Sequence, residues 1–150
     1  MELILWRHAE AEEGYPDSGR RLTAKGEKQA KRMGGWLDKH LPADARILAS
    51  PAVRARQTAE GIGRRFETAA EIDVGANPAS HLDAAGWPDA DGIVVLVGHQ
   101  PTLGRVAAYL MTGEAADWGI KKGALWWFAS RDGGASGVVL KAVLPPDLAD

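Results

Sequence analysis

Residues 3–13 read LILWRHAEAEE, a run of four apolar residues that ends directly on the pair Arg7-His8. A run this short predicts a buried β-strand, and it is far too short for a signal-peptide core or a membrane span. Two further apolar runs, Ile47–Ala49 and Ile93–Val97, are also followed by a turn and then by a helical pattern. Three such strand-turn-helix units predict an α/β fold with a mostly parallel sheet.

The helical segments after these strands carry capping signals and regular apolar stripes. The first helix is predicted to begin near Thr23, a residue type that caps helices. The second is predicted to have Ser50 as its N-cap and Pro51 as its first residue, and the third to end at Gly113. The inner face of the first is predicted to be Ala30, Met33, Leu37 and Leu41, and that of the third Leu103, Val106, Ala107, Leu110 and Met111.

The remaining segments complete the predicted fold. Ile72–Val74 predicts a further strand and 79–85 a short helix. ALWWFAS at 124–130 and GVVLKAV at 137–143 flank the turn-rich connector RDGGASG at 131–137, a pattern that predicts an antiparallel hairpin. We therefore predict a three-layer α/β sandwich, with helices on both faces of a mostly parallel central sheet and a C-terminal hairpin at its edge.

Composition limits the classes of function. With 150 residues, of which 45% are hydrophobic and 25% charged, a single domain over residues 1–150 can bury a core. The formal net charge of -2 gives no global reason to bind nucleic acid or an anionic membrane, so we expect neither partner. Because the N-terminal apolar run is too short for a signal peptide or a membrane span, we expect a cytoplasmic protein. The chain has no cysteine, which excludes disulfides, thiolate metal sites and a cysteine nucleophile.

Charged and polar side chains follow the three strands, at the end where ligands bind in open α/β sheets. Arg7 and His8 follow the first strand, Ser50 and Arg54 the second, and His99 the third. An arginine fork matches phosphate oxygens, and a helix N-terminus favours an anion. A neutral histidine has a lone pair that can attack phosphorus, while a second, protonated histidine stabilises the charge on the transferred group. This set of residues predicts phosphoryl transfer through a phosphohistidine.

Four motifs, in order along residues 3 to about 112, resemble those of the histidine phosphatase superfamily, the phosphoglycerate mutase-like proteins. LILWRHAEAEE matches the Arg-His pair after the first strand, and SPAVRARQTA matches the family's S-P-x-x-R-A-x-Q-T-A segment. VVLVGHQPTLG contains the late G-H, and RRLTAKGEKQA is similar to R-x-L-T-x-x-G. The resemblance implies a phosphoglycerate mutase-like fold for the whole chain.

The resemblance also implies roles for individual residues. His8 would be the nucleophile that is transiently phosphorylated. Arg7, Arg54 and His99 would hold the transferring phosphoryl group, and Arg20 matches the arginine of R-x-L-T and would reach the pocket rim. The family match implies neither a metal ion nor an organic cofactor.

Other interpretations of the same residues are less specific. A strand-end histidine is commonly a structural one, and surface arginines often pair with carboxylates at little gain in stability. A metal site in which Glu10 or Glu12 joins His8 and His99 would leave the arginines without a role. His81 stands alone in a weakly patterned connector, where a histidine is usually exposed.

Cleavage of a phosphate ester calls for a general acid. We identify none with a family pattern, although Asp73, Asp83 and His81 are available. A phosphohistidine substrate departs as imidazole, whose conjugate acid has a pKa of roughly 6.5, and so needs no dedicated acid.

The compact chain resembles most the bacterial SixA-type phosphohistidine phosphatases. The leading hypothesis is therefore removal of phosphate from phosphohistidine on a signalling or phosphotransfer protein. The alternatives are a phosphatase for small phosphate esters with the same nucleophile and, from another class, a non-catalytic module that binds phosphate or phosphohistidine.

Overall fold

The structure, a computed structural model, describes residues 1–131 and 137–150. Its six-stranded sheet has the order β3-β2-β4-β1-β5-β6, in which the first four strands are parallel neighbours and β5 and β6 are antiparallel. The strands are β1 (Glu2–Arg7), β2 (Arg46–Ala49), β3 (Glu67–Thr68), β4 (Ile93–Gly98), β5 (Leu125–Ser130) and β6 (Val138–Leu144). The helices are α1 (Ala24–His40), α2 (Val53–Glu60), α3 (Pro78–Ala85) and α4 (Thr102–Thr112).

Helices cover both faces of the sheet, because strand side chains alternate between two cores. Leu3 and Leu5 of β1 pack into one core with residues of α3 and α4. Ile4 and Trp6 point the other way, into a core with residues of α1 and α2. All four side chains are fully buried, and burial of each stabilises the fold by roughly 1.5–3 kcal/mol. The predicted three-layer sandwich is confirmed.

The C-terminal pair of strands is confirmed as an antiparallel pair at the sheet edge, with Leu125 opposite Leu144. Of the predicted connector between them, residues 132–136 lie outside the described part of the chain. Within the described part, no helix has both the length and the apolar character needed to cross a membrane.

Two predictions about the middle of the chain had different outcomes. The short helix at 79–85 is confirmed as α3. The strand at Ile72–Val74 is wrong: residues Ala70–Ile72 form a turn of 3-10 helix, and the strand is β3 at Glu67–Thr68. Both side chains of β3 are exposed, so this strand leaves no hydrophobic signal, whereas the buried Ile72 anchors the turn.

The caps of the helices were partly predicted. Thr23 caps α1, with the Gly26 N–H donating to its Oγ1 at 3.0 Å. Ser50 is not the N-cap of α2 and Pro51 is not its first residue, since the helix begins at Val53. The Ser50 N–H still donates to the Val97 carbonyl at 3.0 Å and continues the sheet. Met111, predicted on the inner face of α4, is 39% exposed because it lies one position past the buried Leu110.

Helices α1 and α2 meet through glycines, which bring their backbones unusually close. A Cβ built on Gly34 of α1 would lie 2.1 Å from the backbone of Gly61, which follows α2. A side chain at position 34 therefore has no room unless the two helices separate.

Candidate active site

The carboxyl ends of three parallel strands bring the predicted site residues together. In the sheet Arg7 is paired with Gly98, and the His8 N–H donates to the Gly98 carbonyl at 3.0 Å. The imidazoles of His8 and His99 consequently face each other with ring centroids 5.2 Å apart. Arg54, the second residue of α2, reaches the same point from the neighbouring strand.

The hydrogen bonds of His8 define its tautomer. Its Nδ1 lies 2.8 Å from the Ala9 carbonyl, which can only accept, so Nδ1 carries the proton. The Arg54 Nε–H donates to the opposite nitrogen, Nε2, at 3.3 Å. Nε2 therefore holds a lone pair directed toward the guanidinium group, where an anion would also bind. A nucleophilic imidazole needs this arrangement.

Arg54 is held in place by Asp17, which the sequence analysis missed. The two terminal nitrogens of Arg54 donate to the Asp17 backbone carbonyl at 2.7 Å and to its Oδ2 at 3.0 Å. Arg20 pairs with the other carboxylate oxygen of Asp17 at 3.1 Å. Hydrogen bonds from Arg54 and then from Arg20 lower the pKa of Asp17, so this carboxyl group is ionised near neutral pH.

Two buried polar atoms of the site have no hydrogen-bond partner in the described part of the chain: Nε of Arg7 and Nδ1 of His99. The same Arg7 side chain donates through a terminal nitrogen to the Ile120 carbonyl at 2.8 Å, which fixes its orientation. Buried polar groups are nearly always paired, and each unpaired one costs about 1–3 kcal/mol. Both residues also line the pocket described below, so their unpaired hydrogen-bonding capacity lies beside a cavity.

Ser50 holds the second histidine. Its Oγ lies 2.8 Å from Nε2 of His99 and also accepts from the Ala52 N–H at 3.2 Å. A longer contact of 3.4 Å joins Oγ to the Asp73 carboxylate. The fully buried hydroxyl therefore fixes the imidazole of His99 on the side away from its unpaired Nδ1.

Both histidines are neutral at physiological pH. The pKa of His8 falls to about 4, chiefly because the ring is buried and then because Arg54 and Arg7 lie nearby. The pKa of His99 falls to about 3, again chiefly through burial, with His8 and Arg54 adding to the shift. A bound anion would offset part of this cost, since it favours the imidazolium form.

These side chains line a pocket of about 280 Å³ that is open to solvent. Arg7, His8, Arg54 and His99 all contribute to it, and Arg20 lies on its wall. Asp17 and Lys122 also line it, and neither was predicted. Asp17 is the one acidic side chain among the described residues that line this pocket.

The other acid candidates lie elsewhere. Asp73 contacts Ser50 and accepts from the Val74 N–H at 2.7 Å, and the exposed Asp83 on α3 does not line the pocket. His81 was expected on the surface, but it is 1% exposed, because it shares the inner face of α3 with Ala85. Its Nδ1 lies 2.8 Å from the Asn77 carbonyl.

The metal interpretation finds no geometric support. Within residues 1–131 and 137–150, no three His, Cys, Asp or Glu side chains are grouped as metal ligands. Glu10 instead accepts a hydrogen bond from the Thr23 hydroxyl at 2.8 Å.

Comparison with known proteins identifies relatives of this chain. The family model of the histidine phosphatase superfamily (branch 1) matches residues 3–77. A phosphohistidine phosphatase SixA homolog of Haemophilus influenzae is 35% identical over 126 residues, 73% of this chain and 77% of that relative. Phosphohistidine phosphatase SixA of Escherichia coli is 32% identical over 125 residues, 76% of each chain.

A solved structure extends the likeness to nearly the whole chain. The protein histidine phosphatase SixA complexed with tungstate has a TM-score of 0.76 to this chain at 25% identity, and the match covers 98% of both chains. The resemblance inferred from the four sequence motifs is thereby confirmed, and the chain belongs to the histidine phosphatase superfamily, branch 1.

Proposed function

We propose that this protein removes phosphate from phosphohistidine on another protein, with His8 as the nucleophile. The observation that carries the proposal is the single pocket that His8 shares with Arg7, Arg54 and His99, in which Nε2 of His8 has its lone pair directed toward Arg54. An oxyanion in this pocket would meet two guanidinium groups and the nucleophilic imidazole. The similar SixA structure is a complex with tungstate, an oxyanion, and this supports an oxyanion as a ligand of the present protein.

The proposed reaction has two steps. His8 Nε2 attacks the phosphorus atom, so that a new N–P bond forms while the N–P bond of the substrate breaks. The departing imidazole takes a proton from solvent. Water then attacks the phosphorus on His8, releases inorganic phosphate and restores the neutral ring. Arg7 and Arg54 stabilise the charge on the equatorial oxygens in both steps, and Arg20 adds positive charge at the rim. His99 contributes through an N–H at Nδ1, which it carries when the Ser50 hydroxyl donates to its Nε2 or when the bound anion favours its imidazolium form.

The chemistry of the leaving group favours phosphohistidine over an ester. An alkoxide needs a proton from a general acid, but Asp17, the carboxylate on the pocket wall, is held ionised by two arginines. Imidazole leaves readily at neutral pH without such an acid, since its conjugate acid has a pKa of roughly 6.5. The open pocket also admits a side chain carried on a protein surface.

Two peptides that differ only at the phosphorylated position, one with phosphohistidine and one with phosphoserine, test this proposal. We expect kcat/KM to be at least about tenfold higher for the phosphohistidine peptide, because only the ester lacks a good leaving group. His8→Asn is the control and should abolish turnover of both. A higher kcat/KM for phosphoserine, or for a small alkyl ester such as glycerol phosphate, would identify an ester phosphatase instead.

A further inference from the structure

A second depression lies beside the catalytic pocket, with a volume of about 550 Å³. It lies between α1, the segment before β5 and the C-terminal turn. Two carboxylates, Glu10 and Asp147, contribute to its wall. We call it the basic groove, defined by its five cationic side chains: Lys25, Lys28, Arg32, Lys121 and Lys122.

The basic groove carries an excess of positive charge, with five cationic side chains against the two carboxylates of its wall. Arg32 is engaged by the C-terminus, through the Ala149 carbonyl and the Asp150 carboxylate. The four lysines are exposed and form no ion pair with any carboxylate in the described part of the chain. Because the whole chain carries a formal net charge of -2, this excess of cations is a local feature of one face.

The basic groove is joined to the catalytic pocket. Lys122 lines both cavities. The next residue, Gly123, donates its N–H to the His8 carbonyl at 3.1 Å, and its own carbonyl accepts from the Trp6 indole at 2.9 Å. The backbone that follows Lys121 and Lys122 is thus fixed beside the nucleophile. The cationic surface of the groove is therefore continuous with the lining of the catalytic pocket.

The size of the two cavities indicates what the basic groove can bind. The catalytic pocket has about 280 Å³ against about 550 Å³ for the basic groove, and the α1 residues Lys25 and Lys28 line only the groove. The basic groove therefore adds binding energy only for a substrate that extends beyond the reacting group. Exposed lysines on flexible stems act mainly through attraction of a charged partner, which raises its rate of association.

We propose that the basic groove docks an acidic protein surface next to the phosphohistidine of the substrate. This inference rests on the proposed function, since it identifies the face of the protein substrate that meets the enzyme. Carboxylates flanking the phosphohistidine would meet the lysines while the phosphoryl group reaches His8. Charges on the rim of an interface raise specificity and on-rate more than they raise intrinsic affinity.

The test compares a groove variant with a control of equal charge. The groove variant is Lys25→Glu/Lys28→Glu/Lys121→Glu. The control reverses three exposed cations that line neither cavity and make no ion pair in the described part of the chain: Lys39→Glu/Arg46→Glu/Arg65→Glu. Three substrates with the same leaving group are used, namely free phosphohistidine and two phosphohistidine peptides, one flanked by aspartates and one by asparagines.

We expect the groove variant to lose about 10- to 100-fold in kcat/KM for the aspartate-flanked peptide. Free phosphohistidine should be hydrolysed at the wild-type rate, which also shows that the variant is folded. The control should retain the wild-type preference for aspartate flanks, and added salt should weaken that preference in both. Equal losses on all three substrates, or no loss on the aspartate-flanked peptide, would overturn the proposal.

Phosphoserine peptides with the same two flanks separate this inference from the proposed function. If the wild-type protein prefers phosphoserine to phosphohistidine, the proposed function is wrong. The dependence on aspartate flanks can still be measured on the phosphoserine pair, and its absence there and on the phosphohistidine pair would show that the basic groove does not dock an acidic partner.

Discussion

Buried, neutral histidines should make this protein unusually sensitive to mild acid. The pKa of His8 is about 4 and that of His99 about 3 in the folded protein, against 6.5 for an unperturbed histidine. Between pH 6.5 and about 4 these two histidines are therefore protonated in the unfolded chain but remain neutral in the folded protein. The free energy of unfolding consequently falls as the pH falls through this window, and it levels off below the folded pKa values.

The size of the effect follows from the two pKa values. Each histidine should lower the free energy of unfolding by about 2 kcal/mol between pH 7 and pH 5, so the pair costs about 4 kcal/mol. The assay is urea unfolding at both pH values for the wild-type protein and for the variant His8→Asn/His99→Asn. All carboxylates and His81 remain in the variant, so the difference between the two proteins isolates the two rings.

The wild-type protein should lose about 4 kcal/mol more than the variant between pH 7 and pH 5. Equal losses would mean that the folded protein accepts both protons in this range. In that case His8 would not be held as a neutral nucleophile, and the reasoning from burial would be refuted.

Three further predictions concern single residues. Ser50→Ala should lower kcat about tenfold with little change in KM, because His99 loses the hydroxyl that orients it, and steady-state kinetics with free phosphohistidine measures both parameters. Asp17→Asn should tighten inhibition by inorganic phosphate about three- to tenfold, since a negative charge leaves the pocket while the backbone carbonyl still holds Arg54; weaker inhibition would contradict this. Gly34→Ala should destabilise the fold by about 1–3 kcal/mol or more in urea unfolding, because the methyl group meets the backbone at Gly61.

The parts of the fold that the sequence predicted are those with local signals. The apolar runs of β1 and β4 are buried on both faces, so they show no alternation and stand out from the chain. The residues after them are placed at one edge of the sheet by parallel pairing alone. For this reason the sequence predicted correctly that Arg7, His8 and His99 lie together.

The parts that were missed depend on distant contacts. Asp17 looks like an ordinary loop residue, and its position in the site is evident only from its contacts with Arg54, which lies 37 positions later. Ser50 resembles a helix cap in sequence, but its backbone N–H donates to the Val97 carbonyl of the sheet and its hydroxyl contacts Nε2 of His99. His81 is buried because it lies on the inner face of α3, and the weak apolar pattern of that short helix does not predict which face is buried.

The central claim is that Nε2 of His8 accepts the phosphoryl group. Rapid quenching during turnover of a radiolabelled phosphohistidine peptide, followed by peptide mapping, tests it most directly. We predict an acid-labile, base-stable label on the fragment that contains His8 and no label in His8→Asn. Turnover by the wild-type protein without such a label, with activity retained in His8→Asn, would contradict the claim.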